Sequence, residues 1–158
     1  MKEIIAYEML YNKALKYQND IICVPFQKEY WNEYMKIYNE CFYKMRKALE
    51  VEPINFYYDY SQIKDKIKDI FLYLQSGVII GAISCYENEL DDLIVEKSFR
   101  GQGIGQKLLL WGMNHIKDHG EFSYLGFIIF DFLNKHIKIF NIPPVFDNII
   151  STIVFKIF

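Results

Sequence analysis

The chain has 158 residues, of which 52% are apolar and 18% aromatic, with a formal charge of −2. That length suits one domain of ordinary size, expected over residues 1–158, and that apolar content excludes a disordered chain. A near-neutral balance gives no electrostatic footprint for nucleic acid or an anionic membrane, and no apolar run approaches the ~20 residues of a spanning helix.

Residues 1–19 carry Ile4, Ile5, Met9, Leu10 and Leu15 at spacings closer to helical than alternating, a modest signal. The early acid and the lack of a small-residue cleavage site give no export signal, so a cytoplasmic location is expected. Residues 21–26 form a short β-branched run closed by Pro25 and Phe26, and a helical pattern follows over 29–49. Within it Trp31, Met35, Tyr38, Phe42, Met45 and Leu49 recur at intervals of three and four, which predicts a core-facing stripe.

Pro53 stops that helix, and an aromatic connection leads to a second helix expected over 62–68. In the connection Tyr57, Tyr58, Asp59 and Tyr60 could hold a cationic amine by cation–π attraction and charge, or could be aromatic packing. Residues 70–74 and 78–86 read as strands joined at Gln75-Ser76-Gly77, an antiparallel hairpin. A further strand is expected over 90–95.

The string Arg100-Gly101-Gln102-Gly103-Ile104-Gly105 comes next and opens a helix expected over 104–117, burying Ile104, Leu108, Leu109, Trp111 and Ile116. Gly120 stands where a glycine C-cap belongs. Residues 127–130 should be another strand. The tail 148–158 partly alternates, so it could add an edge strand or pair with another subunit. This order is mixed α/β around one core.

Three glycines at alternate positions leave several N–H groups able to turn toward one anion, and the helix adds its own unpaired N–H groups and positive dipole end. Such a loop suits phosphate. It is not a dinucleotide fingerprint, because Gln106 stands where a third glycine is needed. Nor is it a nucleoside-triphosphate loop, because Gly105-Gln106-Lys107-Leu108 lacks the Lys-Ser/Thr ending.

The arrangement Arg-x-x-Gly-x-Gly, with Val95 closing the strand before Arg100, resembles the acetyl-CoA loop of the GCN5-related N-acetyltransferases. The likeness covers about residues 20–130, and 131–158 are atypical. It implies an α/β fold with a mixed, mostly antiparallel sheet flanked by helices. It also implies an acetyl-CoA-dependent N-acetyltransferase acting on a primary amine of a small molecule or peptide, with a homodimer possible. By the same resemblance CoA would be held at Leu93, Ile94, Val95, Arg100, Gly101, Gln102, Gly103, Ile104, Gly105 and Gln106, with Asn134 touching the pantetheine arm.

Acetyl transfer to an amine needs a proton acceptor, a donor to the developing oxyanion and a proton for the thiolate. In similar acetyltransferases the first acidic slot before the loop often holds the base, which implies Asp91, with Asp92 second and Glu89 third. Strand alternation puts Asp91 on one face with Leu93 and Val95, and Asp92 on the other with Ile94. The alternative is that these acids only solvate a strand end. The oxyanion donor would be a backbone N–H around Leu93 to Val95.

Relatives usually carry a tyrosine acid after the next strand. Here the pattern begins at Asn134 and is lost, with Asn141 or Phe140 in the tyrosine slot and Pro143-Pro144 beyond it. A catalytically impaired CoA-binding or regulatory module is therefore the alternative reading, and an interaction domain using the apolar tail is a third. No metal site is expected: Cys23, Cys41 and Cys85 have no ligand spacing and read as reduced core residues, and His115 and His119 read as surface residues.

Overall fold

The computed structural model describes residues 18–87 and 89–119 in full and the strands 2–11, 125–131 and 149–157 as backbone. Among the described residues a seven-stranded mixed sheet carries one helix on each face. Its strands are β1 (Lys2–Tyr11), β2 (Cys23–Pro25), β3 (Ile70–Gln75), β4 (Val78–Tyr86), β5 (Glu89–Val95), β6 (Leu125–Asp131) and β7 (Ile149–Ile157). They lie in the order β2-β3-β4-β5-β6-β1-β7, and only β5 and β6 run parallel. The helices are α1 (Trp31–Ala48) and α2 (Ile104–His119).

The β3–β4 hairpin turns at Ser76 (φ 51°) and Gly77 (φ 79°). Two consecutive left-handed residues make the turn whose twist matches the flanking strands. β4 is buried from Ile79 to Cys85, because α1 covers one face and α2 the other. A strand covered on both sides reads as a continuous apolar run. Gly81 marks the tightest point: a Cβ there would lie 2.7 Å from the Ile94 carbonyl oxygen and 2.7 Å from Leu108 Cδ1.

Four expectations are revised. Residues 2–11 form a strand between β6 and β7, in antiparallel register with both, rather than a helix. Residues 60–63 and 67–69 are two short 3₁₀ turns, not one helix; Asp59 and Gln62 form a capping box at the first. α1 buries Tyr34, Ile37 and Tyr38, so the core stripe is rotated from the one read, with Trp31, Met35 and Phe42 packing at its margin. On α2, Ile104 and Trp111 are only partly buried, whereas Gly112 and Met113 join Leu108, Leu109 and Ile116 inside.

The aromatic connection separates in space. Tyr57 is core, Tyr60 packs edge-on to Trp31 at 5.7 Å, and Tyr58 is 73% exposed. Asp59 accepts from Ser61 N at 2.8 Å, and Lys28 Nζ lies 5.3 Å from the Tyr60 ring centroid. Cys23 and Cys85 are buried free thiols, the former pushed up to about 12 by burial. His115 stacks between Trp111 and an exposed His119, at 4.8 and 4.3 Å. Among the described residues no cluster of three or more His, Cys, Asp or Glu could hold a metal, and no helix is long and apolar enough to cross a membrane. Gly120, Asn134, Phe140, Asn141, Pro143 and Pro144 lie outside the described residues.

Candidate active site

β5 and β6 pair only at Glu89 with Gly126 and Leu90 with Phe127. Beyond that point β6 remains bonded to β1 on its far side, while β5 from Asp91 to Val95 is bonded to β4 alone. The two parallel strands therefore diverge, and the edge of β5 facing the wedge carries backbone groups without a strand partner among the described residues. Unpaired strand edges seek hydrogen bonds, and an extended ligand with amides can supply them.

A bulge sits in β5 at this place. The register passes from Ser84 opposite Asp91 to Ala82 opposite Ile94, so Asp92 and Leu93 together face Ile83. Asp92 adopts φ 46°, a left-handed conformation uncommon for a residue with a side chain. Leu93, Ile94 and Val95 follow it along the wedge, with Ile94 turned into the core under α1.

The chain leaves β5 through a 3₁₀ turn at Lys97–Phe99, capped by the Glu96 carboxylate, which accepts from Ser98 N at 2.7 Å. Gly101 and Gly103 take φ 78° and 79°, and a Cβ on either would meet nothing within 4 Å. Alternating left-handed glycines turn successive amides to one side. The first backbone bond of α2 runs from Lys107 N to the Gly103 carbonyl at 3.1 Å, and among the described residues the amides from Gly101 to Gln106 donate to no acceptor. α2 has no acid in its first turn to offset the positive end of its dipole. Asn19 Nδ2 donates to the Lys107 carbonyl at 2.8 Å, and Lys107 bridges to Asp20 at 2.7 Å, which ties the helix start to the segment before β2. Glycines with open space at their Cβ positions beside the positive end of a helix form a cradle, an arrangement that suits a phosphate group.

Arg100 does not point into the cradle. Its Nε donates to the Val95 carbonyl at 2.9 Å, and its Nη2 to Cys41 Sγ at 3.2 Å. The Cys41 thiol donates to the same carbonyl at 3.5 Å. These contacts tie α1 to the end of β5 at the mouth of the loop. The Gln102 side chain likewise folds back onto the Ser98 carbonyl at 3.1 Å, leaving only its backbone toward an anion.

The two aspartates differ sharply. Asp91 is exposed, and its carboxylate accepts from Asp92 N at 2.8 Å. Asp92 turns into the tyrosine cluster beneath α1, where the Tyr38 hydroxyl donates to its Oδ1 at 3.0 Å. Burial pushes the Asp92 carboxyl up to about 6, and the neighbouring Asp91 charge adds to the rise, against the Tyr38 hydrogen bond and the Lys66 charge. Burial and the Asp92 charge likewise raise Tyr38 above its usual range. Around them the hydroxyls of Tyr34 and Tyr57 are buried without a hydrogen-bond partner among the described residues, while those of Ser84 and Tyr86 are buried beside each other.

Of the acids read from the sequence, Asp92 is the one turned toward the aromatic cluster with a raised carboxyl, and Asp91 the one left exposed. Glu89 is exposed at the start of β5. Sequence reasoning missed Tyr38 as a site residue, taking it as packing alone, because it reaches Asp92 from 54 positions away.

No curated protein matches this sequence. Solved structures share the fold, two of them as follows. An acetyltransferase from the GNAT family of Colwellia psychrerythraea superposes with a TM-score of 0.59 at 19% identity, over 85% of this chain and 49% of that one. A GCN5-related N-acetyltransferase from Sphaerobacter thermophilus does so with a TM-score of 0.55 at 15% identity, over 85% and 45%. The chain therefore spans about half the length of these proteins. The model of the acetyltransferase (GNAT) family matches residues 31–136, more than half of the chain and the whole stretch from α1 through the wedge and cradle, so the chain belongs to the GNAT family.

Proposed function

We propose that this chain is an acetyl-CoA-dependent N-acetyltransferase, acting as a single domain and passing acetyl directly to a primary amine of a small molecule or peptide. The observation that carries the reading is the row of uncommitted amides from Gly101 to Gln106 at the start of α2, opening onto the wedge between β5 and β6. Acetyl-CoA would supply the activated acetyl group as a thioester, and CoA would leave as a thiolate that water can protonate.

The residues have separate duties. The cradle amides and the dipole of α2 would hold the diphosphate. The free edge of β5 from Leu93 to Val95 would offer backbone groups to the amides of the pantetheine arm, and an N–H there would be the donor to the developing oxyanion. Asp92 accepts the proton of the incoming ammonium group, its carboxylate oriented by Tyr38. With its pKa near 6 it is mostly ionised at neutral pH and still close enough to neutrality to exchange a proton. Asp91 stays outside as the charge that helps raise it. Asn134 keeps its assignment to the pantetheine arm.

Thermal unfolding with CoA and acetyl-CoA tests the cradle. A ligand at one hundred times its Kd stabilises by about 2.7 kcal/mol, a readable rise in Tm. Release of free thiol from acetyl-CoA with pooled primary amines tests the transfer. No binding of either cofactor ends the proposal. The loss of the tyrosine pattern between Asn134 and Asn141 favours a second reading, a CoA-binding regulatory module, which predicts the Tm rise without thiol release from any amine.

A further inference from the structure

Register sets the faces at the start of β5. Cys85 lies opposite Leu90, and both belong to the core beneath α2. Their neighbours therefore stand on the other face, the one α1 covers, with Tyr86 opposite Glu89 and Ser84 opposite Asp91. The bulge adds Asp92 to the same side, where it meets Tyr38 of α1. On a regular strand Asp91 and Asp92 would point to opposite faces. Instead three carboxylates share one patch, Glu89 and Asp91 exposed at its rim and Asp92 half-buried behind them.

Two further features show what the patch accepts. Tyr34 and Tyr57, 0% and 1% exposed, lie behind Asp92 near enough for its charge to act on them, and their hydroxyls have no partner among the described residues. Carboxylate and hydroxyl oxygens accept, and an ammonium group brings three donors. In front, the Lys66 ammonium stands 5.9 Å from the centroid of the Tyr86 ring, and its charge reaches Asp92. A ring flanked by carboxylates is a resting place for a cation. One lysine against three acids leaves the patch short of positive charge.

We propose that this patch selects the acceptor: a small diamine or polyamine whose reacting amine meets Asp92 while a second ammonium rests beside Glu89 over the Tyr86 ring. The inference rests on the acetyltransferase reading and deepens it. Asp92 is both the proposed base and a member of the patch, and the patch lies where β5 begins to part from β6. Three residues along a strand span about 10 Å, which an extended four- or five-carbon diamine bridges with a hydrogen bond at each end. The reacting nitrogen forms the C–N bond as the thioester C–S bond breaks, its proton passes to Asp92, CoA leaves as the thiolate, and the second ammonium keeps its charge throughout.

The test uses the full chain saturated with CoA. Calorimetric titration compares 1,4-diaminobutane with butylamine, and 1,5-diaminopentane with pentylamine, and thiol release from acetyl-CoA gives kcat and KM for the same four. The diamine of each pair should bind more tightly by roughly tenfold, the size of one charge-assisted contact, and the preference should shrink as salt rises. The gain should lie in KM rather than kcat, because the second ammonium is held equally before and during transfer. Glu89→Gln should remove most of the preference, with the rise in Tm on adding CoA as the control for an intact fold. Lys66→Met takes away the competing cation. It should strengthen diamine binding by a few fold and move the rise of kcat/KM to higher pH, since the Lys66 charge holds the Asp92 carboxyl down. A lysine that only packs on Tyr86 would leave the pH profile where it was.

Equal binding within each pair overturns the proposal, and so does a Glu89→Gln protein that keeps the full preference. Thiol release with the monoamines would then leave the enzyme reading standing. A chain that binds no CoA ends that reading, and the proposal with it.

Discussion

Against α2 the sheet buries Ile83, Leu90, Leu108, Leu109, Met113 and Ile116, side chains that ask for nothing but contact. Against α1 it buries Tyr34, Tyr38 and Tyr57 beside Ile37, Ile63 and Ile94, with rings 4.4 to 6.1 Å apart. Among the described residues, this second face alone holds a half-buried carboxylate with a raised pKa and tyrosine hydroxyls without partners. An unsatisfied buried polar group costs about 1–3 kcal/mol, so such a cluster opposes folding. The comparison separates two tasks. The aliphatic face fixes α2, and with it the cradle, at a set height above the sheet. The aromatic face keeps a costly acid near the wedge, where the chemistry is proposed.

The strongest way to break this comparison is Asp92→Asn. If Asp92 takes the proton, thiol release should fall by roughly 10²–10⁴-fold, while Asp91→Asn should change it by a few fold at most. The same variant should be more stable than wild type at neutral pH, and the sign follows from the shift. A carboxyl near 6 in the fold against about 3.9 in the unfolded chain binds its proton more readily when folded. Wild type therefore gains stability as pH falls from 7 toward 4 and loses it as pH rises through 6. The amide does not titrate and removes that dependence, so the gain is greatest above pH 6, up to about 3 kcal/mol, and absent below pH 4. Urea denaturation across that range reads it. In wild type kcat/KM should rise with pH through the same value. An Asp92→Asn protein that is both active and less stable would refute both halves.

Gly81→Ala probes where the two faces meet. The added methyl would press at 2.7 Å on the Ile94 carbonyl oxygen, which cannot yield without moving β5. A loss of about 2–3 kcal/mol in urea denaturation is expected, at the upper end of overpacking costs. Gly112 on α2 is the control, since a methyl there meets only the tips of Leu90 and Ile83, at 2.8 and 2.9 Å, and these can rotate. Equal losses would mean that β5 is free to shift and that the wedge is less rigid than its register implies.

What could be read from the sequence follows the range of the interactions. The hairpin, β5, the glycine loop and α2 rest on residues adjacent in the chain, and each falls where periodicity and turn chemistry place it. β1 reads toward helix because its sheet position depends on partners at the far end of the chain: Lys2 lies opposite Ile157. In α1 the aromatic and aliphatic residues support two overlapping stripes, and only the position of the sheet beneath selects Tyr34 and Ile37. Alternation puts Asp92 on the face of Ile94, as found. It could not show the bulge, nor Tyr38 arriving from α1, and these set the surroundings of Asp92.

The finest test of the aromatic face removes a single oxygen. Tyr34 is wholly buried, and its hydroxyl has no hydrogen-bond partner among the described residues. Its ring packs edge-on against Phe26 at 5.3 Å and near Tyr38 and Tyr57, contacts that phenylalanine would keep. Tyr34→Phe should therefore be neutral or stabilising by up to about 1 kcal/mol, a Tm rise of roughly 2–4 °C for a chain of this size. Tyr38→Phe should differ in kind, because it deletes the bond to Asp92 and lowers activity as well. If Tyr34→Phe instead costs more than about 1 kcal/mol, its hydroxyl is satisfied in solution and the aromatic face is not the strained partner of the aliphatic one.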